Sequence, residues 1–216
     1  MEIKLLIADD HQMMREGLRA MIEKEPDMKV IGEAQDGLST VDLARKLAPD
    51  VVVMDVSMPD LNGIEAARKI IKANPNLKVV ALSGHIDQHF VREMFTAGAV
   101  AYIHKQAASD ELVRAIRDVM AGKKYISSDA ARGIVNSYLK RPQAQNKAPV
   151  FATLTERERE VLQLIAEGRC TKDVGGALGV SVKTVETHRH NIMEKLNLRS
   201  VAELTKYAIR EGITST

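Results

Sequence analysis

The sequence predicts a five-stranded, parallel, doubly wound α/β sheet of the flavodoxin-like kind, followed by an all-α helix-turn-helix domain. Three observations carry that prediction. Short apolar runs alternate with amphipathic stretches through residues 1–122, and strands alternating with helices imply right-handed βαβ units and a parallel sheet. From Phe151 the periodicity is only helical, with two short helical stretches joined by a brief Gly-containing turn. The charge divides at the same place. Residues 1–122 hold 15 Lys+Arg against 19 Asp+Glu, and residues 123–216 hold 16 against 10, within an overall +2. An acidic half and a basic half imply different partners.

In chain order, strands are expected at 4–8, 28–34, 51–55, 78–83 and 101–104, and helices at 13–24, 37–48, 63–74, 87–97 and 108–121. Turn chemistry separates them: Glu25-Pro26-Asp27, Pro49-Asp50, Asn62-Gly63, Asn74-Pro75-Asn76 and Ala97-Gly98. Val51-Val52-Val53-Met54 is continuously apolar, as a central strand covered on both faces must be. Residues 123–150 read as a linker carrying one short helix at 128–139 and then the aperiodic, two-proline stretch RPQAQNKAP. In the second domain, 151–216, Thr155-x-x-Glu158 is a capping box opening a helix that runs to Glu167 and stops at Gly168. A helix at 171–178 follows, Gly179 turns, Ser181 caps the helix 182–196, and a last helix spans 200–211 before Gly212.

Asp9, Asp10, Asp55, Ser83 and Lys105 each stand where an apolar β-run ends: KLLIA, VVVM, KVVAL and AYIH. The carboxyl ends of neighbouring parallel strands converge on one crevice. Three carboxylates there attract a hard divalent cation, Mg²⁺ above all, and the cation with a lysine makes a site for a phosphoryl group. His11 and His85 lie near the rim, but a hard cation prefers oxygen, so neither is expected as a ligand.

The segments ADDHQMMREGL, VVVMDVSMPDLNGIEA, VVALSG and AGAVAYIHK resemble a two-component receiver domain over 1–122. The resemblance implies that Asp55 accepts a phosphoryl group from a sensor histidine kinase or a small phosphodonor. It implies Mg²⁺ held by Asp9, Asp10 and Asp55 with the backbone carbonyl of Ser57. Ser83 and Lys105 would contact phosphoryl oxygens, and Tyr102 would be the aromatic that turns inward as Ser83 moves. Gln106 follows Lys105 where many receivers have proline, so the cis peptide of those relatives is not expected. The protein would then be an enzyme only toward its own phosphoryl group.

LTEREREVLQLIAEG and GVSVKTVETHRHNIMEKLNL resemble the DNA-binding domain called LuxR-type or NarL/FixJ-type, so the partner implied is double-stranded DNA. In that geometry the helix after Ser181 enters the major groove. Val185, Ile192 and Leu196 share an inward stripe, while Lys183, Glu186, Thr187, His190 and Asn191 lie away from it. Glu186, Thr187 and His190 are positioned for base edges, where Glu accepts from cytosine N4 and Thr meets a thymine methyl. Lys172, Lys183 and Arg189 are placed for phosphates. Cys170-Thr171 stands where the family commonly has Ser-Asn, and Cys170 reads as a plain buried thiol. Gly175-Gly176 falls inside a helix at about 1 kcal/mol each relative to alanine. Either a close helix crossing requires them or the helix is weak.

Composition narrows the classes further. No uninterrupted apolar run approaches the ~20 residues of a membrane span, and MEIKLLIA enters a strand with no signal-peptide pattern. A single cysteine allows no internal disulfide and fits a cytoplasmic protein. With no tryptophan and few aromatics, single-strand binding by base stacking is disfavoured. The leading expectation is a phosphorylation-controlled DNA-binding regulator that forms a homodimer on phosphorylation. A phosphorylation-independent regulator using the receiver as a dimerisation scaffold is the alternative, and the intact acidic set speaks against it. A phosphatase or phosphotransferase whose helical domain binds protein is a third reading, and the basic second half speaks against that one.

Overall fold

The structure, a computed structural model, describes residues 2–84, 88–139 and 153–214, which form two compact units. In the first unit, strands β1 (Ile3–Ala8), β2 (Met28–Ala34), β3 (Val51–Asp55), β4 (Lys78–Ser83), β5 (Ala101–His104) and β6 (Tyr125–Ile126) form one sheet in the order β2-β1-β3-β4-β5-β6. Every pairing is parallel. Helices α1 (Gln12–Ile22), α2 (Gly37–Leu47), α3 (Gly63–Ala73), α4 (Gln88–Thr96), α5 (Ala108–Met120) and α6 (Ser128–Leu139) connect or follow the strands.

The period of two along each strand sorts side chains between two layers. Leu5, Ile7, Val51, Val53, Val80, Leu82, Ala101 and Ile103 bury one face of the sheet against Leu18 and Ile22 of α1 and Leu112, Ala115, Ile116 and Val119 of α5. The alternate residues, Leu6, Val52, Met54, Val79, Ala81 and Tyr102 among them, are equally buried on the other face, where α2, α3, α4 and α6 pack. β3 is buried at all five positions, as expected of a strand covered on both sides. The local chemistry agrees with the elements. Asp36 caps α2 by accepting from the Ser39 N–H at 2.7 Å, and Ala48 ends that helix in the left-handed region.

The sheet has six strands where five were expected. Tyr125 and Ile126 pair with Ala101 and Tyr102 and extend the edge. Two residues are too few to show alternation, and Lys123-Lys124 before them reads as solvated connector, so this edge strand was absorbed into the linker. The helix at 128–139 forms as expected but packs on β5 and α4 as part of the first unit. The RPQAQNKAP stretch and His85 lie outside the described residues.

The second unit holds α7 (Glu156–Ala166), α8 (Thr171–Leu178), α9 (Val182–Leu196) and α10 (Val201–Arg210). Thr155 and Glu158 form the expected capping box of α7, with the Thr155 N–H donating to Glu158 Oε2 at 2.8 Å. Ser181 caps α9 and Ser200 caps α10 through the N–H groups of Thr184 and Glu203. Lys195 of α9 reaches Glu158 of α7 at 2.6 and 2.8 Å, joining the two helices. Although burial pushes Glu158 upward, its bonds from Lys195 and Thr155 bring it below the ordinary carboxylate value of 4.5. Val161, Leu162, Val174, Val185, Ile192, Leu204 and Ala208 are buried and supply this unit's core. Among the described residues no helix is long and apolar enough to cross a membrane.

Candidate functional site

The first candidate site sits at the carboxyl ends of β1, β3, β4 and β5. β1 ends into Asp9-Asp10, β3 ends on Asp55, β4 ends on Ser83, and Lys105 follows β5. Lys105 Nζ lies 2.7 Å from Asp55 Oδ2 and 2.8 Å from Asp9 Oδ2. The first contact is a hydrogen bond and the second an ion pair. Asp9 and Ser83 have no exposed surface and Asp55 has 3%, whereas the Asp10 side chain keeps 31%. The Ser57 N–H donates to Asp55 Oδ1 at 3.1 Å. Tyr102 is fully buried on the sheet face covered by α4 and α6.

Burial pushes the Asp55 carboxyl above its ordinary 3.8, with Asp9 adding to the rise, although Lys105 pulls the other way. Burial would lower the Lys105 ammonium, but the Asp55 charge and the contacts with Asp55 and Asp9 raise it above its ordinary 10.5. Ligand atoms of Asp9, Asp10, His11 and Asp55 all lie within 4.8 Å of one another. Three carboxylates against one ammonium leave about two negative charges in a partly desolvated cleft. Hard oxygen donors, a buried acceptor without a hydrogen bond and that residual charge fit a small divalent cation such as Mg²⁺. His11 caps the rim: its Nδ1 is 2.7 Å from Asp10 Oδ1 and 3.3 Å from Asp9 Oδ1.

Two residues with a structural hold on the cleft were not singled out by the sequence. Arg15, one turn into α1, donates from Nη1 to the Asp9 carbonyl at 2.7 Å and so braces the acidic turn. Gly63 opens α3 directly beneath Asp55, and a Cβ built there would stand 2.1 Å from the Asp55 carbonyl oxygen. The Asn62-Gly63 pair signalled a turn, but nothing local signals which backbone the turn approaches. After Lys105 the chain forms one 3₁₀ turn, Lys105–Ala107, and no cis peptide bond occurs among the described residues.

The second candidate site is the outer face of α9. Val185 and Ile192 are fully buried, and Leu196 is half-buried on the same stripe. Lys183, Glu186, Thr187 and His190 are exposed; Glu186 and Thr187 stand three and four residues after Lys183 and four and three residues before His190, which groups the four on one side of the helix. Asn191 and Arg189 are half-buried on the flanks of that face, and Lys172 is exposed on α8. The Thr187 hydroxyl donates back to the Lys183 carbonyl at 3.0 Å. His190 Nε2 stands 3.5 Å from Glu194 Oε1.

Cys170 departs from the expected buried thiol. It is exposed at the N-cap position of α8, with Sγ donating to Asp173 Oδ2 at 2.9 Å. It stands one residue before the helix, off the face that packs Val174 and Gly175 inward, and its thiol turns to the Asp173 carboxylate instead of the core. The glycine pair resolves into two different cases. A Cβ at Gly175 would meet the Val180 carbonyl oxygen at 2.8 Å, so close approach of the turn requires glycine there, while Gly176 has open space.

A parallel α/β unit with an acidic crevice at its strand ends, and a helical unit presenting a capped polar helix, define a receiver joined to a DNA-binding domain. Residues 5–117 match the family described as response regulator receiver domain, and residues 152–208 match bacterial regulatory proteins of the luxR family. The response regulator UvrY of Escherichia coli K12 is 37% identical over 211 residues, covering 98% of this chain and 95% of that one. The transcriptional regulatory protein LiaR of Bacillus subtilis 168 is 40% identical over 213 residues, covering 99% and 100%. Among solved structures, the RcsB response regulator of Salmonella typhimurium matches at a TM-score of 0.60 with 26% identity over 95% of this chain and 97% of that one. A complex of RcsB with DNA matches at 0.60 with 25% identity, covering 96% and 98%. The chain belongs to the NarL/FixJ family of two-component response regulators, with a receiver domain and a LuxR-type DNA-binding domain.

Proposed function

We propose that this response regulator is controlled by phosphorylation of Asp55 by a sensor histidine kinase and regulates transcription from double-stranded DNA as a homodimer. The observation that carries the reading is Lys105 Nζ at 2.7 Å from Asp55 and 2.8 Å from Asp9 in one buried cleft. An Asp55 carboxylate oxygen attacks phosphorus, and the bond from phosphorus to the donor's imidazole nitrogen or acyl oxygen breaks with its electron pair leaving on the donor. A carboxylate is a weak nucleophile, so positioning and charge neutralisation supply the catalysis. Asp9, Asp10, Asp55 and the Ser57 carbonyl would hold Mg²⁺, which supplies charge neutralisation at the phosphoryl oxygens when bound. Lys105 and the Ser83 hydroxyl take the remaining oxygens, and Tyr102 follows Ser83. Any further activity is confined to loss of the protein's own phosphoryl group.

On α9, Glu186, Thr187 and His190 read base edges, while Lys183 and Arg189 of α9 and Lys172 of α8 hold phosphates. The exposure of Lys172, Lys183, Glu186, Thr187 and His190 and the +6 charge of residues 123–216 support DNA as the partner. Residues 1–122 form the phosphoacceptor domain, extended by β6 and α6 packed on it, and 151–216 the DNA reader. A cytoplasmic location follows from the DNA target. Incubating the full chain with acetyl phosphate and Mg²⁺ adds one phosphoryl group, and Asp55→Asn abolishes the addition. Equal labelling of Asp55→Asn would refute the assignment. A beryllofluoride-loaded chain that stays monomeric at tens of micromolar yet binds DNA normally would refute dimerisation.

A further inference from the structure

One half-buried imidazole has no part in the chemistry above. His104, the last residue of β5, sits across the sheet from Ser83 in register. Its Nε2 lies 3.3 Å from the Gly84 carbonyl, the first backbone oxygen after Ser83. Its Nδ1 is buried without a hydrogen-bond partner and faces Asp129 Oδ2 of α6 at 4.0 Å. The other Asp129 oxygen accepts from Arg132, so Oδ2 is the one turned to the imidazole. The backbone around His104 is tied to the same helix. Its N–H donates to Ser127 Oγ at 3.2 Å, the Ser127 N–H donates to the Tyr102 carbonyl at 2.9 Å, and Ser127 Oγ also takes the Ala130 N–H at 3.4 Å. The imidazole therefore lies between the strand end that carries Ser83 and the first turn of α6.

The hydrogen-bond inventory fixes what this ring can do. A carbonyl oxygen and a carboxylate oxygen are both acceptors, and an imidazole with one ring proton donates to only one of them. With the proton on Nε2, Gly84 is satisfied and Nδ1 presents a lone pair toward Asp129, which holds the two apart. With the proton on Nδ1, the ring donates to Asp129 and releases Gly84. Closing from 4.0 Å to an ordinary N–H···O distance needs about 1 Å of ring or helix movement.

We propose that His104 is a positioning residue that passes the state of Asp55 to α6 by exchanging these two partners. The inference rests on the reading of Asp55 as phosphoacceptor and of Ser83 as the residue that follows the phosphoryl oxygen. When Ser83 moves toward that oxygen, the Gly84 carbonyl withdraws. The ring changes tautomer through solvent, Nδ1 taking up a proton from water as Nε2 gives one back, so that the ring's charge and proton count are unchanged, and His104 grips Asp129. The first turn of α6, on the segment that leads out of the receiver, is then clamped to β5. Signal transfer by a partner exchange of this kind needs only differential contacts in the two states.

The test uses the full chain carrying ¹⁵N-labelled histidine, with beryllofluoride and Mg²⁺ as the probe. At rest the His104 ring nitrogens report the Nε2–H tautomer. On beryllofluoride addition they report Nδ1–H, and the Ala131 amide in the first turn of α6 exchanges about fivefold more slowly, the lower end of an ordinary allosteric coupling. In Asp129→Ala, a substitution at a partly exposed side chain, the tautomer stays Nε2–H and the exchange does not slow. His104→Leu, which keeps the ring's bulk without its nitrogens, loses the slowing as well. A bound beryllofluoride signal in fluorine NMR with an unchanged tautomer overturns the latch and leaves the phosphoacceptor reading standing. No bound signal overturns both. Slowing that persists in Asp129→Ala and His104→Leu also overturns the latch.

Discussion

Gly63→Ala tests how tightly the acceptor carboxylate is held from below. The added Cβ would lie 2.1 Å from the Asp55 carbonyl oxygen, 3.0 Å from its carbon and 3.0 Å from Val56 Cα. Real Cβ contacts essentially never fall under 3.0 Å, so the backbone must open by about 1 Å. The obstacle is main chain at the end of a fully buried central strand, not the tip of a flexible side chain. The Gly63 N–H also donates to the Val56 carbonyl at 2.9 Å, so the helix start cannot retreat without losing that bond. Overpacking of this kind costs about 1–3 kcal/mol. At about 4 °C of melting temperature per kcal/mol for a domain of this size, the receiver transition should fall by about 4–12 °C.

The functional consequence is larger than the thermal one. Moving the Asp55 backbone shifts its carboxylate away from Lys105 Nζ at 2.7 Å and the Ser57 N–H at 3.1 Å. A misplacement of about 1 Å at a reacting atom lowers rates by about a hundredfold. The assay is the initial rate of phosphoryl incorporation from acetyl phosphate with Mg²⁺, read by intact mass, beside a melting curve of the same sample. Gly63→Ala labelling within about twofold of the wild-type rate, with an unchanged melting temperature, would refute the reasoning, because an error of 1 Å in the acceptor backbone cannot be silent in both.

Three further outcomes follow from the same geometry. Asp55 has its pKa raised by burial, so its carboxylate withholds stability as pH rises through that raised value and withholds none below the ordinary 3.8. Asp55→Asn in metal-free buffer therefore melts higher than wild type at neutral pH, by an increment that vanishes near pH 3, and an increment that grows toward acid contradicts this sign. Gly176→Ala stabilises the helical unit by about 1 kcal/mol because the Cβ meets nothing within 4 Å, whereas Gly175→Ala destabilises it against the Val180 carbonyl; melting curves in the reverse order reject the packing argument. Glu186→Ala weakens cognate DNA by about 1–3 kcal/mol and random DNA little, while Arg189→Ala weakens both and lowers the salt slope by about one unit. A titration series in which Glu186→Ala tightens both duplexes equally, or Arg189→Ala changes sequence preference, breaks that division of α9.

What was legible in the sequence is what local pattern and topology determine between them. Asp9, Asp55, Ser83 and Lys105 could be placed together because each closes an apolar run, and parallel strands send their carboxyl ends to one edge. The caps at Thr155 and Ser181 were legible for the same local reason, whereas Ser200, read as the first residue of the last helix, proves to be its cap. What escaped depends on backbone meeting backbone at a distance. Tyr125 and Ile126 have no pattern of their own and become a strand only because Ala101 and Tyr102 offer a free edge. Gly63 looks like any turn glycine until α3 is seen to start against the Asp55 carbonyl. Gly175 and Gly176 are identical letters, and only the path of the Val180 turn separates a required glycine from a dispensable one. Cys170 was misjudged because residue type was weighed above its position one residue before α8.

The resting contacts of Lys105 set a constraint on the proposed cycle. One ammonium now neutralises Asp55 and Asp9, and each of those carboxylates is nearly or wholly shielded from water. The same ammonium cannot keep both contacts and also face a phosphoryl oxygen beyond Asp55. Its release leaves two buried anions beside the half-open Asp10, a state that desolvation strongly disfavours. Asp9, Asp10 and Asp55 would hold a divalent cation, whose charge would offset that penalty and leave Lys105 able to meet a phosphoryl oxygen. On the proposed reading, cation binding and lysine release would be two sides of one exchange. A receiver built with Asp9 and Asp10 but without Lys105 would bind the cation without that competition and would lack the cation that meets the phosphoryl group, which is why the ammonium belongs inside the carboxylate cluster.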